Sequence, residues 1–453
     1  MKAMLLNLPW SEKGRFGVRA GSRWPFTIRA ESSSELKYTP FPFFLAYATA
    51  LLKNEGKDAL LVDAIAERLG EKEVEERIKE YAPDLLVIET ATPSFDNDLR
   101  IAKEIRGKIH NLKVALCGAH SGVFVTEVLT DCRFIDYILI GEYEYTLLEL
   151  MNCLEEDKGG MGSVSGLAYR QDGPVIINSP RKTLENLDLL PWPEREGLPI
   201  YNYNDNFADL PMPNVQMWST RGCPFKCSFC LWPQAIYKEH KYRKRNPAAV
   251  ADEMEYLVKN FDFKAVYFDD DIFNAEKSHV VGICDEITRR KIKVPWAVMA
   301  RADLMDKDLL AILSHAGLYA CKYGIESADP KVLEKCGKNI DLIRVREVIK
   351  LTKELGIKVH LTFCLGLPGE RKESISKTAD FIKAVQPDSL QVSFATPFPG
   401  TEYYKYMIDK GFLLSENWAD YDGNQGCVFR TDELTSLDLE RARNDFCNNF
   451  NLQ

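Results

Sequence analysis

No run of about 18 apolar residues occurs in this chain of 453 residues, so no membrane-spanning helix is expected. A secretory leader is not expected either, because Met1-Lys2-Ala3-Met4-Leu5-Leu6-Asn7-Leu8-Pro9 is too short an apolar stretch and meets a proline. Basic residues are in deficit: 58 Lys and Arg against 67 Asp and Glu leave a net charge of −9. That balance argues against a general nucleic-acid binder, whose phosphate affinity comes largely from Lys and Arg clusters. The one local basic run, residues 238–245, reads as a solvated loop rather than an anion site. No 20–50-residue repeat and no low-complexity tract is evident. The twelve cysteines do not form a disulfide framework, since nine of them are scattered singly. A reducing compartment, the cytoplasm, is therefore expected. With 45% hydrophobic and 28% charged residues the chain is globular, and its length implies two or three domains.

The remaining three cysteines are clustered in Cys223-Pro224-Phe225-Lys226-Cys227-Ser228-Phe229-Cys230, opened by Thr220-Arg221-Gly222. Three thiolates at this spacing can ligate three irons of a [4Fe–4S] cluster and leave the fourth iron open, where four thiolates are the norm. An open coordination position marks chemistry rather than scaffolding. The alternative is a structural zinc knot with His240 as fourth ligand, but zinc sites usually pair their cysteines as two knuckles and no second knuckle exists here. The C-x3-C-x2-C spacing, with an aromatic before the last cysteine, resembles the signature of the radical SAM superfamily. The resemblance implies that Cys223, Cys227 and Cys230 hold the cluster and that its open iron binds the amino and carboxylate groups of S-adenosylmethionine (SAM). The reduced cluster would then cleave SAM to a 5′-deoxyadenosyl radical, with an external electron donor such as flavodoxin or ferredoxin.

The pattern of apolar runs divides the chain. Residues 1–150 read as a doubly wound α/β unit, with strands at 3–8, 59–63, 85–90, 113–118 and 137–141 alternating with helices at 42–54, 71–81 and through 106. A hairpin at 165–177 and a proline-bearing connector fill residues 151–213. From 214 to 402, strands at 215–220, 265–269, 296–300, 319–325, 358–365 and 389–395 alternate with helices, predicting a partial (β/α)6 barrel with its functional residues at the strand carboxyl ends. Residues 403–453 form a polar tail expected to shape the substrate pocket.

Several unusual residues fall at those strand ends. Asp269, Asp270 and Asp271 are adjacent carboxylates that repel one another, so stability alone would not select them. The family resemblance makes them acceptors for the SAM amine; a magnesium site is the other reading, without a phosphate-binding loop to accompany it. Arg301 is a candidate carboxylate clamp or a surface ion pair. Gly324, Glu326 and Ser327 resemble the family's Gly-Ile-Glu-Ser segment at the height of the SAM ribose or amine. Gly366 opens a tight Gly-Leu-Pro-Gly-Glu turn expected to let backbone approach the adenosine; the family resemblance implies that backbone at Phe229 lies against the adenine. The turn at 396–401 reads as a rigid loop.

The α/β unit upstream of such a barrel resembles a flavodoxin-like cobalamin-binding domain. Its candidate contacts are Thr92 and Ser94, Gly118 and His120, and Gly141 and Glu142. It departs from the usual pattern in having no Asp-x-His-x-x-Gly, so the lower-axial histidine is missing. The glycine-rich basic stretch from Lys13 to Pro25 is a further candidate to cover the corrin or to meet an anionic substrate. Together these resemblances imply a cobalamin-dependent radical SAM enzyme acting on a small-molecule or lipid-like substrate, with methyl transfer to an unactivated carbon as the leading reaction. Cyclisation or rearrangement with the same cofactors is the second reading, and a non-catalytic cobalamin or Fe–S sensor the third.

Overall fold

The computed structural model describes residues 1–12, 15–17, 23–25, 27–29, 39–156, 160–424 and 426–450. The first unit runs β1 (Lys2–Asn7), α1 (Phe43–Asn54), β2 (Asp58–Asp63), α2 (Glu71–Tyr81), β3 (Leu85–Glu89), α3 (Phe95–Lys108), β4 (Lys113–Cys117), α4 (Val125–Asp131), β5 (Tyr137–Leu139), α5 (Glu144–Glu156), β6 (Leu167–Arg170) and β7 (Val175–Ile177). Its sheet order is β7-β6-β5-β4-β3-β1-β2, parallel from β5 to β2. The near-continuous apolar strands are explained by burial on both faces. Met4, Leu6, Val62, Leu86, Ile88, Val114 and Leu116 face one core, while their neighbours Ala3, Leu5, Leu61, Leu85, Val87 and Ala115 face the other. The second of these cores continues without a break into the barrel.

The hairpin does not stand apart as a linker. β6 pairs antiparallel with β5 and carries β7 as the sheet edge, so the first unit extends to Ile177 rather than ending near 150.

The second unit runs β8 (Asn214–Met217), β9 (Thr220–Arg221), α6 (Leu231–Ala235), β10 (Arg243–Lys244), α7 (Pro247–Asn260), β11 (Ala265–Phe268), α8 (Lys277–Arg290), β12 (Trp296–Ala300), α9 (Lys307–His315), β13 (Leu318–Glu326), α10 (Pro330–Lys335), α11 (Leu342–Glu354), β14 (Lys358–Leu365), α12 (Lys372–Val385), β15 (Ser389–Phe394), α13 (Glu402–Asp409) and α14 (Ser436–Phe450). Strands β8-β11-β12-β13-β14-β15 form a six-stranded, all-parallel half-barrel in chain order. Short polar side chains start its helices: Asn246 accepts from the Ala248 N–H at 2.9 Å ahead of Pro247, and Asp306 from the Leu309 N–H at 2.7 Å. The connector closes the barrel floor, where Phe207, Ala208 and Leu210 pack on Ala265, Tyr267, Ala297 and Ala320. The tail contains a 15-residue helix, α14, that packs beside β15.

The basic run at 238–245 is not a wholly solvated loop. Lys238, Lys241 and Lys244 are exposed, but Arg243 and Arg245 are buried, because acidic partners on other elements receive them. Arg245 Nη1 donates to Glu253 at 2.5 Å. Arg243 donates to both carboxylate oxygens of Glu142, at 2.7 and 2.8 Å, and so ties β10 to the first unit. No helix among the described residues is long and apolar enough to cross a membrane.

Candidate active site

The three cysteines lie on the loop between β9 and α6, and two features fold that loop tightly. Gly222 has φ +83°, and a Cβ there would stand 2.1 Å from the Lys241 carbonyl oxygen, so only glycine lets the two backbones approach. Gln234, on α6, donates its amide to the carbonyls of Cys227, Ser228 and Cys230 at 3.3, 3.1 and 2.7 Å. From the other side the Ser228 N–H donates to the Cys336 carbonyl at 2.9 Å. Cys223, Cys227 and Cys230 are free thiols at the end of a cavity of about 470 Å³ that runs into the barrel lumen. Burial pushes the Cys223 thiol up to about 12 and raises the other two as well, so a thiolate here calls for positive charge such as bound iron. Among the described residues no three His, Cys, Asp or Glu side chains converge on a single-ion site. A cubane cluster places each thiolate on its own iron, so its ligands need no common point.

The three aspartates have three different fates. Asp270 is buried away from the cavity and accepts from the N–H groups of Ser219 and Thr220 at 2.7 and 3.1 Å, bracing the strand end ahead of the cysteines. Asp269 lines the cavity but is paired with Arg23, whose Nη1 also donates to the Asp269 carbonyl at 2.7 Å. Asp271 also lines the cavity: its Oδ2 accepts from Gly222 N at 2.8 Å and Tyr237 OH at 2.9 Å, while its Oδ1 is buried without a partner.

Arg301 is not a surface ion pair. It is 6% exposed, donates to Asp303 at 3.0 and 2.8 Å and to the Lys338 carbonyl at 3.1 Å, and lies 3.7 Å over the Phe225 ring. Its Nη1 is buried and unpaired. Glu326 accepts from Lys338 Nζ at 3.0 Å and from the Cys364 thiol at 3.4 Å. Gly324 lines the cavity beside it, and Phe229 lines it with its ring edge-on to Trp24.

Two candidates leave the site. Gly366, with φ +90°, is approached by the Phe429 ring of the tail, which would stand 2.4 Å from a Cβ there; protein, not adenosine, fills that space. Ser327 is fully buried outside the cavity, its hydroxyl accepting from the Asp329 N–H at 3.2 Å.

In the first unit the candidate loops gather at the carboxyl ends of β3, β4 and β5. Ser94 caps locally, donating to Asp98 at 2.7 Å, and Gly118 packs against the Thr90 backbone. Gly141 faces the Ile236 carbonyl of the second unit, 3.1 Å from where a Cβ would stand. His120 is 1% exposed between Phe95, Phe124 and Trp418, with Nδ1 3.2 Å from Thr92 Oγ1. Burial lowers it to about 3 and keeps the ring neutral. Glu142 is taken up by Arg221 and Arg243 of the second unit. Of the glycine-rich stretch, residues 13–14 and 18–22 lie outside the described residues, whereas Arg23 and Trp24 line the large cavity.

Comparison with known proteins agrees with both halves of this geometry. The radical SAM superfamily matches residues 218–382, and the B12 binding domain matches residues 34–151. The chain belongs to the cobalamin-dependent radical SAM enzymes. It is 29% identical over 380 residues to an uncharacterized methyltransferase of Pyrococcus horikoshii, covering 84% of this chain and 81% of that one. It is 30% identical over 386 residues to the anaerobic magnesium-protoporphyrin IX monomethyl ester cyclase of Rubrivivax gelatinosus, covering 82% and 66%. Its fold is similar to that of the radical SAM methyltransferase TsrM of Kitasatospora setae, with a TM-score of 0.71 at 19% identity over 90% of this chain and 76% of that one.

The cofactors of a cobalamin-dependent radical SAM enzyme are a [4Fe–4S] cluster, SAM and cobalamin, and the residues present fit them. Three free thiols, an unpaired carboxylate oxygen on Asp271 and an unpaired guanidinium nitrogen on Arg301 share one cavity, as a cluster and the amino and carboxylate groups of SAM require. At the carboxyl ends of the first unit's strands, His120 Nε2 and Ser121 Oγ are buried without partners, which suits a ligand rich in amides and hydroxyls. Arg23 and Trp24 belong to the stretch expected to cover the corrin or meet an anionic substrate, whereas Gln234 and Lys338 carried no assignment from sequence, and neither did the pairing of Arg23 with Asp269. Gln234 follows the last cysteine by one helical turn, a spacing that offered a signal; Lys338 is brought in from another segment.

Proposed function

We propose that this chain is a radical SAM methyltransferase that adds a methyl group to an unactivated carbon. The observation that carries the reading is the position of α6. Leu231 and Trp232 on this helix line the cysteine cavity, and the same two residues, with Ile236, border the small gap against Thr90, Ala91, Thr92 and Ala119 at the strand ends of the first unit. A site for SAM cleavage and a site for cobalamin thus lie on opposite sides of a single short helix. When bound, the cluster and SAM supply a hydrogen-abstracting radical and cobalamin carries the methyl group.

The chain's own residues do the positioning. Asp271 Oδ1 receives the amine of SAM and Arg301 Nη1 its carboxylate, while Asp270 and Gln234 hold the loop that presents the thiols. Glu326, held by Lys338, stands at the same level of the lumen. The similarity to a named methyltransferase over most of both chains supports methyl transfer. Reduction would come from an external electron donor such as flavodoxin or ferredoxin.

The test is Cys227→Ala in anaerobically reconstituted protein with dithionite. We expect 5′-deoxyadenosine release to be abolished while cobalamin content is retained. Release at the wild-type rate would sink the assignment. A product of unchanged carbon count from the wild-type enzyme would replace methyl transfer by the cyclisation named for the Rubrivivax relative.

A further inference from the structure

Below the cysteines the half-barrel lumen ends in a polar floor that the cofactor sites do not use. On β13 and β14, alternation turns Lys322, Gly324 and Glu326, and His360, Thr362 and Cys364, into the lumen, and all six line the cavity. Glu326 stands at the cysteine end. Lys322 is four residues deeper, about 13 Å along the strand at roughly 3.3 Å per residue. Lys322 Nζ donates to Asp205 Oδ2 at 3.1 Å, both side chains being buried, and lies 4.9 Å over the Phe207 ring.

Beside it His360 is 6% exposed. Ser389 Oγ accepts from the Ala208 N–H at 3.0 Å and keeps its own proton free to donate to His360 Nδ1, 2.7 Å away. Burial and the Lys322 charge keep the ring neutral. In the tautomer that accepts from Ser389 the ring's single proton sits on Nε2, which is buried and has no partner, and an anion placed at Nε2 selects that tautomer. Lys322 Nζ makes no other hydrogen bond among the described residues, its remaining neighbours being the rings of Phe207 and, at 5.7 Å, Tyr267. Higher on the wall, Arg443 of α14 donates Nε to the Val392 carbonyl at 3.1 Å and has no carboxylate partner among the described residues.

We propose that this floor anchors an oxyanion of the substrate, a carboxylate or phosphoryl group, on His360 Nε2 and Lys322 Nζ. The substrate is then a small polar molecule whose carbon skeleton points toward the cysteines. The inference rests on the reading of this cavity as the reaction chamber. A macrocycle or polycyclic lipid would leave buried donors facing hydrocarbon, which is unfavourable for every unpaired group. An oxyanion satisfies them, and Arg443 adds positive charge where Asp205 offsets that of Lys322.

The test uses butyrate and propylphosphonate as probes, with binding to the anaerobically purified, cluster-reconstituted full chain read by saturation-transfer NMR. We expect saturable binding of at least one probe, butyrate identifying a carboxylate and propylphosphonate a phosphoryl site. His360→Phe and Lys322→Met should each weaken it about 10- to 100-fold, the range for loss of one buried charge-assisted hydrogen bond. His360→Gln, which keeps a donor, should retain most of the affinity. Iron and cobalamin contents equal to wild type report intact folding. No saturable binding of either probe, or binding undiminished in a correctly loaded His360→Phe or Lys322→Met protein, overturns the proposal. Loss of SAM cleavage in the wild type would instead count against the radical SAM reading and leave the probe result standing.

Discussion

Glu142→Gln tests how the two units are joined. Glu142 closes the first unit's last parallel strand. Its carboxylate meets Arg243 at 2.7 and 2.8 Å and Arg221 at 3.3 Å, with the three side chains 6%, 1% and 3% exposed. Burial alone would raise this carboxyl, but Arg221 and Arg243 outweigh it and hold the group below the ordinary carboxylate range. Glutamine keeps the shape and one acceptor but removes the charge. Two buried guanidinium groups are then left with Glu144, which reaches only Arg221, at 2.7 Å. Breaking a buried pair from one side costs about 3–5 kcal/mol, equivalent to roughly two to four powers of ten in the opening equilibrium of the interface.

Hydrogen exchange under anaerobic conditions reads this directly. In Glu142→Gln, amide protection should fall in β9, β10 and the start of α5 by about that factor, while central barrel strands such as β13 change little. A double-mutant cycle with Arg243→Met isolates the pair. Because the folded carboxyl is depressed, its contribution is present above the unfolded value of about 4.3 and is lost as pH falls through that value toward the folded one. Protection within about 0.5 kcal/mol of wild type, which is the noise of surface substitutions, would refute the structural role. Cobalamin loss with unchanged protection would restore Glu142 to the cofactor site.

Glu89, buried beside Tyr143 at the end of β3, is raised to about 8, mainly by burial. Its folded value lies above the unfolded one, so its contribution is full below about pH 4.3 and is lost as pH rises toward 8, at up to about 1.4 kcal/mol per pH unit. Glu89→Gln should flatten urea midpoints measured from pH 5 to 8, and an unchanged slope would refute the assignment. For the aspartates, Asp271→Asn should lower SAM affinity about 10- to 100-fold, the scale of a lost charge-assisted hydrogen bond. Asp269→Asn, whose wild-type carboxylate is already paired with Arg23, should lower it far less. Equal losses in equilibrium dialysis would remove the distinction between them.

Much of the barrel was legible because its signals are local. Asn246-Pro247 marks the start of α7 (Pro247–Asn260) by its cap and its fixed φ, a signal carried by two adjacent residues. Apolar runs between charged helices locate all six strands to within about three residues at each end. What sequence could not show are partnerships made across the chain. Composition makes residues 238–245 look solvated, yet Arg243 is buried by a glutamate 101 positions away. Gly366 has the conformation that a close ligand approach would need, but Phe429 of the tail uses it. His120 has a polar sequence context and is nonetheless enclosed by three aromatic rings, one of them from Trp418. The floor donors share this property: Lys322 and His360 are ordinary strand residues until Asp205 and Ser389 orient them.

These long-range contacts are also what the proposed chemistry demands. Two cofactors can act on one carbon only if their sites are held at fixed separation, and an interface of ordinary size between domains permits motion. Here three independent connections span it. Cys230 is itself the N-cap of α6, so the last cluster cysteine passes without a linker into the helix that faces the first unit. Arg221 and Arg243 lock the ribbon beside the cysteines to Glu142 and Glu144. Arg23 and Trp24, which follow β1, reach back to Asp269 and to the ring of Phe398 at 5.4 Å. The acids and aromatics that sequence reasoning assigned to cofactors serve in part to fix this distance. The groups left for ligands are among those that no connection has used: Asp271 Oδ1, Arg301 Nη1 and His360 Nε2 in the lumen, and His120 Nε2 and Ser121 Oγ in the first unit.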